Sequence, residues 1–217
     1  MKFFSFAFKL NISRIIRLFI ISDLLLWGGW GLIAPIFSVF VVGEVPGATL
    51  ITVGIGTAIY WIVKSVIQIP VAKFLDRRPG EQDDFYTLLA GLILTGIVAF
   101  AFVFVSKPWH LYLAQFFQAI AFGLYIPAWY SMFSRHLDRG KYAIEWSLDS
   151  SGIGIGAGIA GLVGGSLAVM IGFKAVFVLA ALFSLAAAAS LLAAPRIIFP
   201  HAAVKKAAGI KNHTKPL

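Results

Sequence analysis

The chain has 217 residues, 60% of them hydrophobic and 12% charged, with a net charge of +9 and a mean hydropathy of +0.91. That composition excludes an ordinary soluble domain and points to an integral membrane protein. There is no cysteine, so disulfides, thiolate metal sites and cysteine nucleophiles are excluded as well.

The opening MKFFSFAFKL resembles a signal peptide only briefly. Lys9 breaks its apolar run, and Arg14 and Arg17 follow without a small-residue cleavage site. Residues 1–14 therefore read as an interfacial segment leading into the membrane. A span needs ~20 apolar residues, and six candidates follow. The first runs from Ile15 to Val42, ending at the Gly43–Gly47 turn, and the second from Thr49 to Leu75. The third covers Phe85 to Ser106, the fourth Leu111 to Leu137, and the fifth Tyr142 to Ile171. The sixth covers Lys174 to Ala194 and stops at Pro195. The expected organisation is an all-α membrane protein: a lead at 1–14, a six-helix bundle at 15–195 and a basic tail at 196–217.

Charge orients this bundle. Of the 18 basic residues, 15 fall on the side holding both termini, whereas only Lys107 and Lys174 fall on the other and Lys64 lies inside a span. The positive-inside rule puts both termini in the cytoplasm, with the inner or plasma membrane as the expected location. It also explains the charge of +9 by orientation and anionic lipid, without nucleic acid.

Three ionisable residues lie well inside spans. Asp23, Lys64 and Asp149 are each roughly 10–17 Å from the cytoplasmic ends, at ~1.5 Å per residue. An unpaired charge at mid-bilayer costs ~2.5–3.5 kcal/mol. Each is thus expected to have a partner or a wet cavity, either as a substrate or proton site or as an ion pair holding helices in register. Asp23, Trp27 and Trp30 share a face of the first span. Thr57, Trp61, Lys64 and Gln68 share one on the second, and Gln115, Gln118, Phe122, Tyr125 and Trp129 one on the fourth. Stripes that mix glutamine, tryptophan and charge fit a cavity lining better than a lipid-facing surface.

The fifth span holds a glycine-dense run, Ser147–Gly165, with one carboxylate. Gly154, Gly158, Gly161 and Gly165 form one small face; Asp149, Gly152, Gly156 and Ala160 form another, nearly opposite. Small residues let helices approach closely inside a bilayer, so this helix is expected between two neighbours. The bulky stripe of Leu148, Ile155, Ile159 and Leu162 is expected to face lipid.

Other motifs fail on context. Gly156, Gly158 and Gly161 match a dinucleotide fingerprint, but mid-helix and with no preceding strand. His110, His136, His201 and His213 lack metal-ligand spacing, and no serine has a histidine placed for catalysis. Asn11 and Asn212 match a glycosylation pattern on the cytoplasmic side. No enzyme, metal or cofactor is expected.

Three stretches carry a family resemblance. Ala72-Lys-Phe-Leu-Asp76-Arg77-Arg78-Pro-Gly80 is similar to the G-x-L-x-D-R-x-G-R-R loop of the major facilitator superfamily, with alanine for the leading glycine and the later glycine one place late. Gln115-Phe-Phe-Gln118-Ala119 lies over that family's R-x-x-Q-G, with glutamine for the arginine. Gly156-x-x-x-Ala160-Gly161-x-x-Gly164-Gly165 lies over its G-x-x-x-G-P-x-x-G-G. In order, spacing and topology, residues 15–195 resemble one six-helix half of such a transporter.

Full members carry two halves related by an axis along the membrane normal. Running from an initiating methionine to a polar tail, the chain has one half's span count, which implies a parallel, isologous homodimer. The resemblance implies a secondary transporter of a small molecule working by alternating access, with efflux or antiport favoured by the fifth-span motif. It implies a substrate cavity lined by Asp23, Trp27, Trp30, Gln115, Gln118, Tyr125 and Trp129. Asp23 and Asp149 are candidates for proton coupling, Asp23 foremost. The dimer interface is expected at Lys64, Gln68, Asp149, Gly152, Gly156 and Ala160, with Lys64 facing Asp149 of the other copy. Asp76 and Arg77 form a gating loop, Asp76 latching onto the other copy near Tyr142. The alternative is a non-transporting scaffold, or a subunit of a hetero-oligomer, that keeps the fold.

Overall fold

The computed structural model describes residues 12–77 and 80–193. The expectations for Lys2, Lys9, Asn11, Arg78 and the tail at 196–217 fall outside them. Among the described residues all regular structure is helical, and six helices are long and apolar enough to cross a membrane.

Helix α1 (Arg14–Ile33) starts where the Ser13 hydroxyl accepts from the amide of Ile16 at 3.2 Å, a conventional N-cap. The sequence reading runs this helix on to Val42, but it breaks at Ala34–Ile36 and resumes as α2 (Phe37–Glu44). The cause is Pro35, which has no N–H to give and whose ring clashes with the carbonyl four residues back. A turn with Gly47 at φ 77° leads to α3 (Leu50–Asp76), which opens with a Thr49–Thr52 capping box. Helix α4 (Gln82–Ala101) ends in a 3-10 turn, Phe102–Phe104. Pro108 starts α5 (Pro108–His136), a favourable place for a residue without an amide proton. Helix α6 (Tyr142–Ile171) stops at Gly172, whose φ of 83° suits glycine, and α7 (Phe173–Leu192) follows.

The helices form an open arc. Helix α5 packs on α3 and α4; α1 packs on α6 and α7; α4 and α7 join the two groups. Exchanging the first three spans for the last three maps α1 onto α5, α3 onto α6 and α4 onto α7, and reproduces this contact pattern. Such an internal three-plus-three repeat is known from transporters. It leaves α3 and α6 at the two ends of the arc. Only 17% of the α3 span and 11% of the α6 span are buried, against 44–61% of the other four.

Close backbone approach fixes the arc. At Gly91 a side chain would meet the backbone of Tyr125 at 2.8 Å, and at Gly164 it would run into the backbone of Leu32. The core fills in two clusters. One, around Phe19, Leu88, Phe122, Met132 and Phe133, lies toward the end bearing Arg14, Lys73 and Arg135 (the basic end). The other, around Phe40, Phe102, Leu111 and Phe177, lies toward the opposite end.

The two small faces of α6 differ in what they meet. Gly156 sits against Leu24, and Ala160 and Ala157 sit against Gly31, all within the same chain. Gly154, Gly158 and Gly165 have open space beyond them, as does Gly152 at the edge of the packed face. Helical periodicity separates two faces but does not say which one faces the helix's own bundle; the close fit of Gly156 and Gly164 to α1 does. Of the bulky stripe, Ile155, Ile159 and Leu162 are exposed as expected, but Leu148 is buried.

Candidate functional site

A cavity of about 370 Å³ opens between α1, α5 and α6. Helix α1 contributes Asp23 and Trp27, one turn apart. Helix α5 contributes Tyr125, Ile126, Trp129 and Tyr130, two adjacent i,i+4 pairs. Helix α6 contributes Trp146, Asp149, Ser150 and Ile153, whose 3-1-3 spacing keeps them on one face. Among the described residues lining it, none is basic.

The two carboxylates differ in their company. Asp23, 2% exposed, accepts a hydrogen bond from the Tyr125 hydroxyl, which ties α1 to α5. Trp27, one turn along α1, lines the same space. Asp149, 4% exposed, has one carboxylate oxygen, Oδ1, with no hydrogen-bond partner and lies within electrostatic reach of Asp23. The indole Nε1 of Trp129 also lacks a partner. Toward the basic end the walls are aromatic: Trp129 stacks on Phe133 at 4.5 Å, and Trp146 meets Trp129 edge-on at 5.8 Å.

Four of the seven expected cavity residues line this space: Asp23, Trp27, Tyr125 and Trp129. Trp30 and Gln118 lie farther along α1 and α5. Trp30 meets Phe122 edge-on at 5.8 Å, and Gln118 is 2% exposed with neither amide atom hydrogen-bonded. Gln115 does not line this space: its Cγ lies 3.4 Å from where a side chain at Gly56 would begin, in the α3–α5 contact. The cause is the two-fold split of a broad helical face, whose half nearer α3 is used for packing.

Gly156 and Ala160 are occupied by α1 of their own chain, as described above. Asp149 is enclosed by its own chain in the cavity. Lys64 is 8% exposed, with its ammonium 3.7 Å from the centre of the Trp61 ring and 5.4 Å from that of Tyr60. A cation over an aromatic face gains ~0.5–2 kcal/mol. The ring contacts Trp27–Phe122 (5.5 Å) and Phe122–Tyr60 (6.0 Å) stand between Asp23 and Lys64. Gln68 is half-buried on the same side of α3. Asp76 and Arg77, the last residue and C-cap of α3, are exposed.

Sequence reasoning missed Tyr130, Trp146 and Ser150 in the cavity. Trp146, three residues before Asp149 on the same face, was the available signal. It also missed a polar cluster at the basic end. Arg135 Nη1 donates to the buried Asp84 and to the carbonyl of Gly80, both at 2.9 Å, and so fastens the α3–α4 loop to α5. His136 lies 3.6 Å from Glu81. Glu145, fully buried, accepts from the Asp138 amide at 2.9 Å and holds the α5–α6 loop.

Comparison with known proteins adds to this geometry. A family model described as Major Facilitator Superfamily matches residues 19–216. The chain is 28% identical over 173 residues to the multidrug resistance protein MdtG of Dickeya zeae, covering 79% of this chain and 41% of that protein. It is 25% identical over 177 residues to the MdtG of Enterobacter lignolyticus, covering 80% and 41%. The chain thus spans about two-fifths of the length of the curated relatives it matches.

Proposed function

The chain belongs to the major facilitator superfamily, and from that membership we propose that it is a membrane half-transporter, moving a small molecule by alternating access. The observation that carries this reading is the cavity itself: two acidic side chains, Asp23 and Asp149, on different helices, inside membrane-spanning segments and around space large enough for a small molecule. Intramembrane carboxylates facing a cavity are suited to carry protons or to meet substrate. The relatives' printed name, multidrug resistance protein, supports export by exchange for protons. The basic end faces the cytoplasm of the inner membrane, as the positive-inside rule requires.

The second six-helix unit is another copy of the chain. Helices α3 and α6, the least buried spans, form its contact, with Gly154, Gly158 and Gly165 of α6 offering the close-approach surface. Asp76, exposed at the end of α3, meets the start of the partner's α6, where the helix dipole favours an anion by ~0.3–1 kcal/mol. Alternating access is then a rocking of the two copies that opens the cavity of each, between its α1, α5 and α6, to one side of the membrane and then to the other.

Proteoliposomes carrying an internal pH-reporting dye test this. Small amphipathic compounds of cationic, neutral and anionic type are added in turn. At least one type should drive proton movement that Asp23→Asn removes. Monodisperse protein that moves protons with none of the three would overturn the reading and favour the non-transporting scaffold.

A further inference from the structure

We propose that the outer groove between α1, α6 and α7 holds an anionic phospholipid of the cytoplasmic leaflet, with Arg17 on its phosphate. The inference uses only the placement of the spans in a membrane and stands apart from transport.

The groove encloses about 510 Å³. Its floor is Ile21, Leu25, Gly28 and Leu32 of α1, whose 4-3-4 spacing puts it on the side opposite Asp23 and Trp27. Its walls include Ile155 and Ile159 of α6 and Phe183 of α7, all three exposed. Arg17 is the only polar side chain lining it among the described residues, and it stands at the basic end. Its Nη2 donates to the Ile12 carbonyl at 3.3 Å, which holds the guanidinium at the mouth. Arg14, three residues earlier on the same side of the helix, is exposed.

Length and charge choose the occupant. From Ile20 to Leu32 the apolar lining runs roughly 18 Å, at ~1.5 Å per residue. One leaflet is ~15 Å deep, half of the ~30 Å hydrocarbon core. The groove thus has the depth of one leaflet and carries positive charge only where a head group lies. A guanidinium meets phosphate through two parallel N–H donors, and anionic lipid draws Arg and Lys at that level. A soluble anion would leave the apolar walls uncovered. A zwitterionic lipid would fill the space but bring its own cation toward Arg17 and Arg14. The face of α6 offered to a second copy, at Gly154, Gly158 and Gly165, is a different side of that helix. A second hollow gives the contrast. About 520 Å³ between α4 and α5 is lined by Leu94, Phe104, Trp109 and Phe117, with no Lys or Arg among the described lining residues. It should take acyl chains without regard to head group.

The test is photolabelling of the chain in phosphatidylcholine nanodiscs. Trace phosphatidylglycerol or phosphatidylcholine, each with a diazirine on one acyl chain, serves as the probe, and labelled residues are mapped by mass spectrometry. At equal mole fraction, phosphatidylglycerol should label Ile21, Ile155 and Ile159 about fivefold more than phosphatidylcholine does. At Leu94 and Phe117 the two should label alike. Arg17→Gln should remove most of the excess. Gly152 lines the groove and a Cβ there meets nothing within 4 Å. Gly152→Leu should therefore fill the groove and lower labelling there by both probes, leaving Leu94 and Phe117 as they are. Equal labelling of the groove by the two lipids, the same excess in both hollows, or an excess unchanged in monodisperse Arg17→Gln would overturn the proposal. So would undiminished groove labelling in Gly152→Leu. Cross-links between copies through Ile21 that Gly152→Leu abolishes, with no lipid labelling of the groove, would seat a second copy there and equally overturn it. The expected excess in a chain that moves no protons would leave this inference standing while the transporter reading falls.

Discussion

Helices α5 and α6 divide the physics of this protein between them. Helix α5 is the least apolar of the six spans and the most buried, at 61%; α6 is more apolar and the least buried, at 11%. In water that order would be inverted. In a bilayer, lipid tails solvate apolar side chains as well as a protein interior does, so burial is reserved for polar and close-packing groups. Helix α5 carries Gln115, Gln118, Tyr125 and Trp129 inward. Helix α6 turns Asp149 and Trp146 inward but leaves Ile159, Leu162 and Val169 outside. Location within a membrane protein is thus read from where the polar atoms must go.

The contrast can be broken within α6 itself. Gly164→Leu drives a side chain into the Leu32 backbone, and overpacking of this kind costs ~3 kcal/mol or more. The expected result is loss of a monodisperse peak on size-exclusion chromatography in detergent. On α5, Arg135→Ala leaves the buried Asp84 without its ion-pair partner. A destabilisation of about 1–3 kcal/mol should appear as a lower thermal midpoint, and added salt should not reproduce it because Asp84 is shielded from screening. Tyr125→Phe removes the hydrogen bond from α5 to Asp23 on α1. A loss of about 1–2 kcal/mol is expected, with faster hydrogen exchange in α1 as the readout. Gly158→Leu sharpens the comparison from the other side, since nothing lies within 4 Å of that position. Stability should change by no more than about 0.5 kcal/mol, while cross-linking between copies falls. A cross-linking yield unaffected by Gly158→Leu would remove the open face of α6 from the interface.

The six spans were legible because length and hydropathy suffice to find them. The break in the first was not. The sequence has prolines at 35, 70 and 127 inside apolar runs; α3 and α5 continue through Pro70 and Pro127, whereas the helix stops at Pro35. Proline type alone does not distinguish these, because neighbouring helices decide whether freed carbonyls are tolerated. The cavity was half legible. Asp23, Trp27, Tyr125 and Trp129 share helical faces with a charge or glutamine, which marks them. Tyr130 and Trp146 were hidden because the family resemblance directs attention to the first and fourth spans, and the share of α6 depends on how it leans against α1. Helical spacing separates the two glycine faces, but which of them meets α1 depends on the close fit of Gly156 and Gly164, which spacing does not encode.

The hydrogen bond between Tyr125 and Asp23 has a consequence for how the chain is made. The two residues lie 102 positions apart. Helix α1 therefore enters the bilayer carrying a carboxylate whose partner has not been synthesised, at a penalty of ~2.5–3.5 kcal/mol on the insertion scale. At ~5–20 residues per second, about 5–20 s pass before α5 emerges from the ribosome. During that interval the Leu, Ile and Phe residues of α1 offset the penalty on the insertion scale, while the carboxylate stays without the Tyr125 hydroxyl. The contact between α1 and α5 is thus a late one, made only when the Tyr125 hydroxyl arrives to meet Asp23.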